Sequence, residues 1–459
     1  MTAGAFGALR RDRVRNELGR VAADVEAWLG RWKEGGPQTS QIARCGEVLR
    51  GMLARLQARA AEVPADERGL AAARGIEWDL SIVDGLSSLL AERFGQRERS
   101  RLAATLGAAD ELIWSCVQYA RPLAPELPLP LAYIEPAFSP SATPRQKPPP
   151  TLPARDRLLA EMLRVLPVPL IGLPSGIVEE PWWLVLIAHE VGHHVQYDAD
   201  PEAVKRTGAA LREATGDPAW EAWRQEVFAD LFAVLALGPV AIEATAELEW
   251  DVPEAMAATK TLYPPAIVRL AIMAECARVA GYAGAASGVP FGADSWADTL
   301  AQVPADRREV VAGQLSCVGA VVAAVLDVRV GKGSIRELAG KVPAAGAAPS
   351  LDSDTAMLRR RLQGDNVGVK GGQKLPRSAV REAFLAYRGL AAEPDPDRRA
   401  VAQRGLRDRA IALFREVGDP EAKRGVTRGV TRSGGPADSA DTTAIVDRMF
   451  DVLRGEEPA

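Results

Sequence analysis

Three histidines occur in the 459-residue chain, and all three fall in one run: His189-Glu190-Val191-Gly192-His193-His194. Four residues apart on an α-helix, His189 and His193 share a face, so both imidazoles can reach one metal ion. Glu190 follows the first of them, placed to take a proton from a water on that ion. An H-E-x-x-H run thus puts two ligands and a proton acceptor on one helical turn, which suits metal-assisted hydrolysis of an amide bond. The bland alternative is an ordinary helix with clustered surface histidines.

A catalytic zinc site normally has three protein ligands plus a water. No histidine lies outside the run, which excludes a His-x-x-Gly-x-x-His extension. His194 points about 100° round the helix from His193. The third ligand is then a carboxylate or a thiolate. Downstream, within Trp220 to Ala233, Glu226 and Asp230 are four apart on one face of a second apolar helix. Glu226 can ligate, while Asp230 can accept the free N–H of a ligand histidine and fix its tautomer. Glu221 and Glu213 are weaker substitutes, Asp198 sits too close to the first helix to fold back, and Cys276 is an outside candidate.

With both segments in view, residues 165 to 280 resemble the gluzincins, whose H-E-x-x-H is followed by a glutamate ligand on a later helix. The Glu226-to-Asp230 form, E-x-x-A-D, is similar to HtpX-type metallopeptidases. The segment Tyr263-Pro264-Pro265-Ala266-Ile267-Val268-Arg269-Leu270 resembles the x-P-P-x-x-x-R stretch of the same group. Glu226-x-x-Ala229-x-x-Phe232-Ala233, ending in Leu237-Gly238-Pro239, also resembles the ImmA/IrrE metallopeptidases, which usually carry Asn where this chain has Asp230.

The resemblance implies a zincin-like domain that hydrolyses peptide bonds of a peptide or protein substrate. One zinc per chain, held by His189, His193 and Glu226, would lower the pKa of its water from 15.7 to about 7. Glu190 would accept the proton and pass it to the leaving amine. The oxyanion needs a donor besides zinc, and Tyr263 or Arg269 is the expected source. The rival from another class is a non-catalytic zinc-binding regulatory or interaction protein on the same scaffold. A retained Glu190 argues against it, since a purely structural zinc site has no use for that carboxylate.

HtpX-type enzymes are embedded in membranes, and here the chain departs from them. Its longest apolar run, Val310 to Leu326, is interrupted by Gly313, Gln314, Ser316 and Gly319 and flanked by charges. That reads as a buried core helix, with no membrane span expected.

The elements that must hold the site follow from pattern. Pro181 suits a first helical turn, and the apolar run Trp182 to Ala188 then predicts a buried helix leading into the histidines. Trp182, Trp183, Trp220 and Trp223 read as core. Gly192 costs helix stability, about 1 kcal/mol, and implies close approach of another backbone or of the metal site. Just upstream, Val168 to Pro174 is expected to be a proline-confined edge strand, with substrate contacts at Leu170, Ile171, Gly172 and Leu173.

Residues 1–121 predict a helical bundle, with Leu9, Val14, Leu18, Val21, Val25, Trp28 and Trp32 recurring mostly at threes and fours. Such a bundle could bind a protein partner. Residues 122–153, with Pro148-Pro149-Pro150, read as a proline-rich connector. The zincin-like domain is expected over 154–345, and a polar, helical or partly disordered module over 346–459. The fold class is therefore mainly α (α+β): bundle, catalytic domain with a small edge sheet, and helical C-terminal module.

Composition sets outer limits. The chain is 47% hydrophobic and 25% charged, which is ordinary for a globular protein with ample core. A net charge of −4 gives no reason to expect nucleic acid as a partner. No apolar segment follows Met1, and Cys45, Cys116, Cys276 and Cys317 form no C-x-x-C pair. They read as reduced cysteines in a cytoplasmic protein.

Overall fold

A computed structural model of the chain describes residues 3–32, 39–125, 127–142, 153–166, 168–282, 296–340, 349–369, 375–418 and 439–455. The proline triplet at 148–150 and the Gly-Val-Thr-Arg tandem at 425–432 lie outside the described residues. The described residues are 76% helix and 4% strand, so the mainly helical class holds. Helices α1 (Ala3–Arg31), α2 (Thr39–Ala61), α3 (Gly69–Gly95) and α4 (Ser100–Val117) come first. Strands β1 (Leu131–Glu135) and β2 (Ser141–Ala142), helix α5 (Ala154–Val165) and strand β3 (Leu170–Pro174) follow. Then come α6 (Ile187–Asp198), α7 (Ala203–Thr215), α8 (Pro218–Ala222), α9 (Arg224–Leu237), α10 (Val240–Glu249), α11 (Pro253–Met256) and α12 (Ala266–Val279).

By their contacts the described residues fall into two compact units, one drawn from 1–98, 143–170 and 429–459 and the other from 99–142 and 171–428. In the first, α1, α2 and α3 form the expected bundle. Val14, Leu18, Val21 and Val25 of α1 are buried, as are Leu49, Met52 and Leu56 of α2 and Val83, Leu86 and Leu90 of α3. Leu9, read as part of that stripe, is exposed instead. Helix α5 and the final helix Ser439–Arg454 complete this unit.

These boundaries depart from the expected ones. Helix α4 belongs to the second unit because Leu112, Ile113, Cys116 and Val117 are buried in that core, against α6. The tail is not one module either. Helices Pro349–Gln363, Leu375–Gly389 and Pro396–Gly418 join the second unit, where Phe384 meets Trp183 edge-on at 5.5 Å and Tyr387 stacks on Trp182 at 4.8 Å. The three-part division thus gives way to two units whose chain segments interleave.

In the second unit a three-stranded sheet runs β1-β3-β2, with β2 antiparallel to β3 in the register Ser141↔Gly172 and Ala142↔Ile171. This corrects the edge-strand expectation. Strand β3 is central, and Leu170, Ile171, Gly172 and Leu173 are all buried. Its prolines mark its ends, Pro169 before it and Pro174 as its last residue, so residues 170–173 keep every N–H for pairing.

The approach to the histidines is tighter than expected. Pro181–Leu186 form a 3-10 helix, and the α-helix begins only at Ile187. Helix α9 packs directly along α6 and is buried at every position from Glu226 to Leu237. A Cβ on Gly192 would stand 2.9 Å from the Ala229 Cα and 3.1 Å from the Phe232 Cβ. The glycine is what lets the two helices come this close, in keeping with the reading of that residue. The apolar run from Val310 breaks at Cys317 into helices Ala305–Ser316 and Val318–Asp327, bent by 43°. Among the described residues no single helix is long and apolar enough to cross a membrane.

Candidate metal centre

Helical spacing delivers the donors from two directions. On α6, His189 and His193 point their Nε2 atoms together at 3.1 Å. From α9, Glu226 brings Oε2 to 3.2 Å from His189 Nε2 and Oε1 to 3.6 Å from His193 Nε2. These three side chains form a group that could hold a metal ion.

Asp230, one turn beyond Glu226, lies 2.8 Å from His189 Nδ1, a short contact bent off the ring N–H direction. A carboxylate can only accept, so in neutral His189 the proton sits on Nδ1 and the lone pair on Nε2. That lone pair then faces Glu226 Oε2, a buried atom with no hydrogen-bond partner. Two acceptors at this distance repel unless a cation lies between them. The donor set therefore fits a metal ion, and a proton is the alternative. Burial works against charge on His189, but Asp230 and Glu226 outweigh it and raise its pKa to about 10. Burial and the neighbouring His189 push His193 down to about 4.

Arg269, from α12, holds Asp230 in turn. Its Nε and Nη2 donate to the two oxygens of Asp230 at 2.8 and 2.9 Å, and Nη1 donates to Glu249 Oε1 at 2.8 Å. Lys260 Nζ donates to the other Glu249 oxygen at 2.9 Å. Burial opposes the charge on Asp230, yet Arg269 and His189 hold its pKa well below the carboxylate range. Each guanidinium nitrogen gives one N–H to a carboxylate, which orients Asp230 and offsets its charge, while Nη1 and Nη2 each keep a second N–H at the cleft that Arg269 lines.

Glu190 is buried and faces a cleft of about 270 Å³ with His189. The cleft is walled by Phe138, Ser139 and Pro140 on the approach to β2, by Leu186, by Thr245, Leu248 and Glu249 of α10, and by Lys260, Tyr263 and Arg269. Burial raises the Glu190 pKa, partly offset by His189 and by the nearby backbone amide of Ala142. Tyr263 presents its ring to the cleft, under the Arg269 guanidinium at 5.6 Å. Burial and the charge of Glu226 push its phenol up to about 12, so it stays a hydrogen-bond donor.

Of the sequence-derived site residues, His189, Glu190, His193, Glu226, Asp230, Tyr263 and Arg269 meet at this centre. Leu170, Ile171, Gly172 and Leu173 are not among the residues that line the cleft, whose wall on this side is Phe138, Ser139 and Pro140 from the segment before β2. The weaker ligand candidates point elsewhere: Glu221 pairs with Arg212, and the buried Cys276 thiol contacts Leu231 O at 3.9 Å. His194 Nδ1 meets Asp198 at 3.2 Å. Trp182, Trp220 and Trp223 are buried core. Glu249, Lys260 and the 138–142 segment were not singled out from sequence. Glu249 and Lys260 are an ordinary pair of helix-end and loop charges, and only their position beside Arg269 marks them. Comparison of the chain with protein-family models, with curated proteins and with solved structures returned no match.

Proposed function

We propose that this protein is a zinc-dependent metallopeptidase of the gluzincin type. One observation carries the reading: His189 Nε2 lies 3.1 Å from His193 Nε2 and 3.2 Å from Glu226 Oε2, and Glu226 Oε1 lies 3.6 Å from His193 Nε2, beside an open cleft. Tetrahedral zinc with ligands at about 2.0–2.2 Å needs donor separations of about 3.3–3.6 Å, and these separations lie within a few tenths of an ångström of that range. Three protein ligands leave one position for chemistry, which favours a catalytic over a structural site. Bound zinc would supply Lewis acidity, acidifying water and polarising a carbonyl.

The chain's own residues account for the remaining steps. Glu190 borders the same cleft, and its raised pKa makes its carboxylate a better proton acceptor from the attacking water and, later, a donor to the amine. Tyr263 keeps its proton and can donate to the developing oxyanion, and Arg269, which lines the same cleft, is the other candidate donor. Asp230 and Arg269 hold the His189 ring. Phe138 and Pro140 on one wall and Leu186 and Leu248 on others give a bound peptide apolar contacts.

The test is zinc content together with peptide cleavage, comparing wild type with Glu190→Gln. The variant should keep its zinc and fold and lose on the order of a hundredfold or more in turnover. Equal turnover would remove the hydrolytic reading in favour of a non-catalytic zinc protein.

A further inference from the structure

Strand β2 packs against α6, the helix that carries Glu190, and from there the Ala142 amide favours the Glu190 carboxylate. Among the described residues two residue pairs join β2 to β3, a ladder that a further anchor would steady.

The anchor comes from the far side of the sheet. Glu135, the last residue of β1, sends its carboxylate across the central strand to β2. Ser141 Oγ donates to its Oε1 at 3.0 Å, and Tyr133 OH donates to its Oε2 at 3.0 Å. The carboxylate crosses β3 at Gly172, the residue paired with Ser141. There a Cβ would fall 2.0 Å from Glu135 Oε1 and 2.8 Å from Ser141 Oγ. Any side chain at 172 would therefore displace the bridge. Gly172 has no positive-φ backbone to explain it. The space it leaves is filled by the Glu135 carboxylate.

We propose that Glu135, Gly172 and Ser141 form a clasp that fixes the β2 edge at the cleft, making Glu135 a positioning residue for Glu190. The inference rests on the metallopeptidase reading only for its catalytic consequence. Tyr133 orients one carboxylate oxygen, the other holds Ser141, and the next amide along the chain is the one that favours the Glu190 carboxylate. Releasing the clasp lets that amide drift while leaving both zinc-binding helices untouched.

The test uses full-length zinc-loaded protein with two readouts: peptide turnover, and hydrogen–deuterium exchange of the amides at 139–142. Glu135→Ala and Gly172→Ala should each raise exchange at 139–142 and lower kcat by about tenfold, with zinc content unchanged. Ser141→Ala is a milder variant that removes one bond without crowding the sheet, and it should move both readouts in the same direction. Glu135→Gln keeps an oxygen for Ser141 and should stay within about twofold of wild type. The double variant Glu135→Ala with Gly172→Ala should be no worse than Glu135→Ala alone, because once the carboxylate is gone the other near group, Ser141 Oγ, can rotate away from the new methyl.

Additive losses in the double variant would overturn the proposal, as would Glu135→Gln behaving like Glu135→Ala. Exchange at 139–142 that ignores Glu135→Ala would overturn the clasp even in an active enzyme. Raised exchange with unchanged kcat would overturn the positioning role. A wild-type protein that binds zinc and cleaves no peptide would instead remove the metallopeptidase reading, and exchange would still decide whether the clasp exists.

Discussion

Arg269 and Asp230 meet fork to fork: Nε and Nη2 of the one donate to Oδ2 and Oδ1 of the other, at 2.8 and 2.9 Å, and both residues are buried. The pair stands behind His189, so the charge that orients a ligand ring is itself offset from behind. Pairs of this kind have favourable geometry but a high desolvation cost, and removing one partner strands the other.

Arg269→Met is therefore expected to destabilise the protein by about 3–5 kcal/mol, since it leaves Asp230 buried without its main partner. Arg269→Lys should recover only part of that loss, because a point charge cannot donate in parallel to two carboxylate oxygens. Chemical denaturation of the three proteins checks the order. Equal stability of Arg269→Met and wild type would show that the pair does not hold the site.

Gly192→Ala places a methyl group against the Ala229 backbone, which cannot yield as a flexible side chain does. Helices α6 and α9 must separate by a few tenths of an ångström, and overpacking of this type costs about 1–3 kcal/mol. The same shift moves Glu226 away from the two imidazoles, so zinc affinity should fall alongside stability. Retained affinity by chelator competition, in a protein that has lost stability, would separate the two effects and count against Gly192 as a determinant of site geometry.

Glu226→Ala and Asp230→Asn should differ in degree. The first removes a metal donor and leaves two imidazoles. The second keeps all three donors and weakens the orientation of His189, a change that usually costs about 10–100-fold in affinity or activity. Zinc affinity is expected to rank wild type above Asp230→Asn, and that above Glu226→Ala. Wild-type affinity in Glu226→Ala would place the third ligand elsewhere.

The raised pKa of His189, about 10, sets a pH dependence for the zinc-free protein. A group whose folded pKa lies above its ordinary value near 6.5 stabilises the fold fully below that value. That contribution fades as pH rises towards about 10. Zinc takes the place of the same proton, so affinity should climb with pH over this range, and uptake at pH 7 should release about one proton from His189. Titration calorimetry in buffers of different ionisation enthalpy counts that proton. Uptake with no release at pH 7 would mean that His189 is already neutral without metal.

The residues of the candidate metal centre were readable in the chain because their relationship is local. Positions four apart on a helix share a face whatever the rest of the protein does, so His189 with His193 and Glu226 with Asp230 follow from helical geometry alone. The histidine count then left a carboxylate or a thiolate as third ligand. Gly192 could be flagged as a close approach, though the approaching backbone, that of Ala229, could not be named. Arg269 was visible as a residue near the site, but its role depended on which groups surround it. Those groups, Asp230 and Glu249, are 39 and 20 residues away. Prolines at Pro169 and Pro174 suggested a sheet edge, and only strand order showed that they bracket a central strand. The same holds for α4, α5 and the last helix, whose apolar stripes announce burial without naming the partner. Periodicity specifies that a face is buried, and contacts between distant segments decide against what. For this protein that second choice put the segment before β2 at the cleft and set Arg269 behind Asp230.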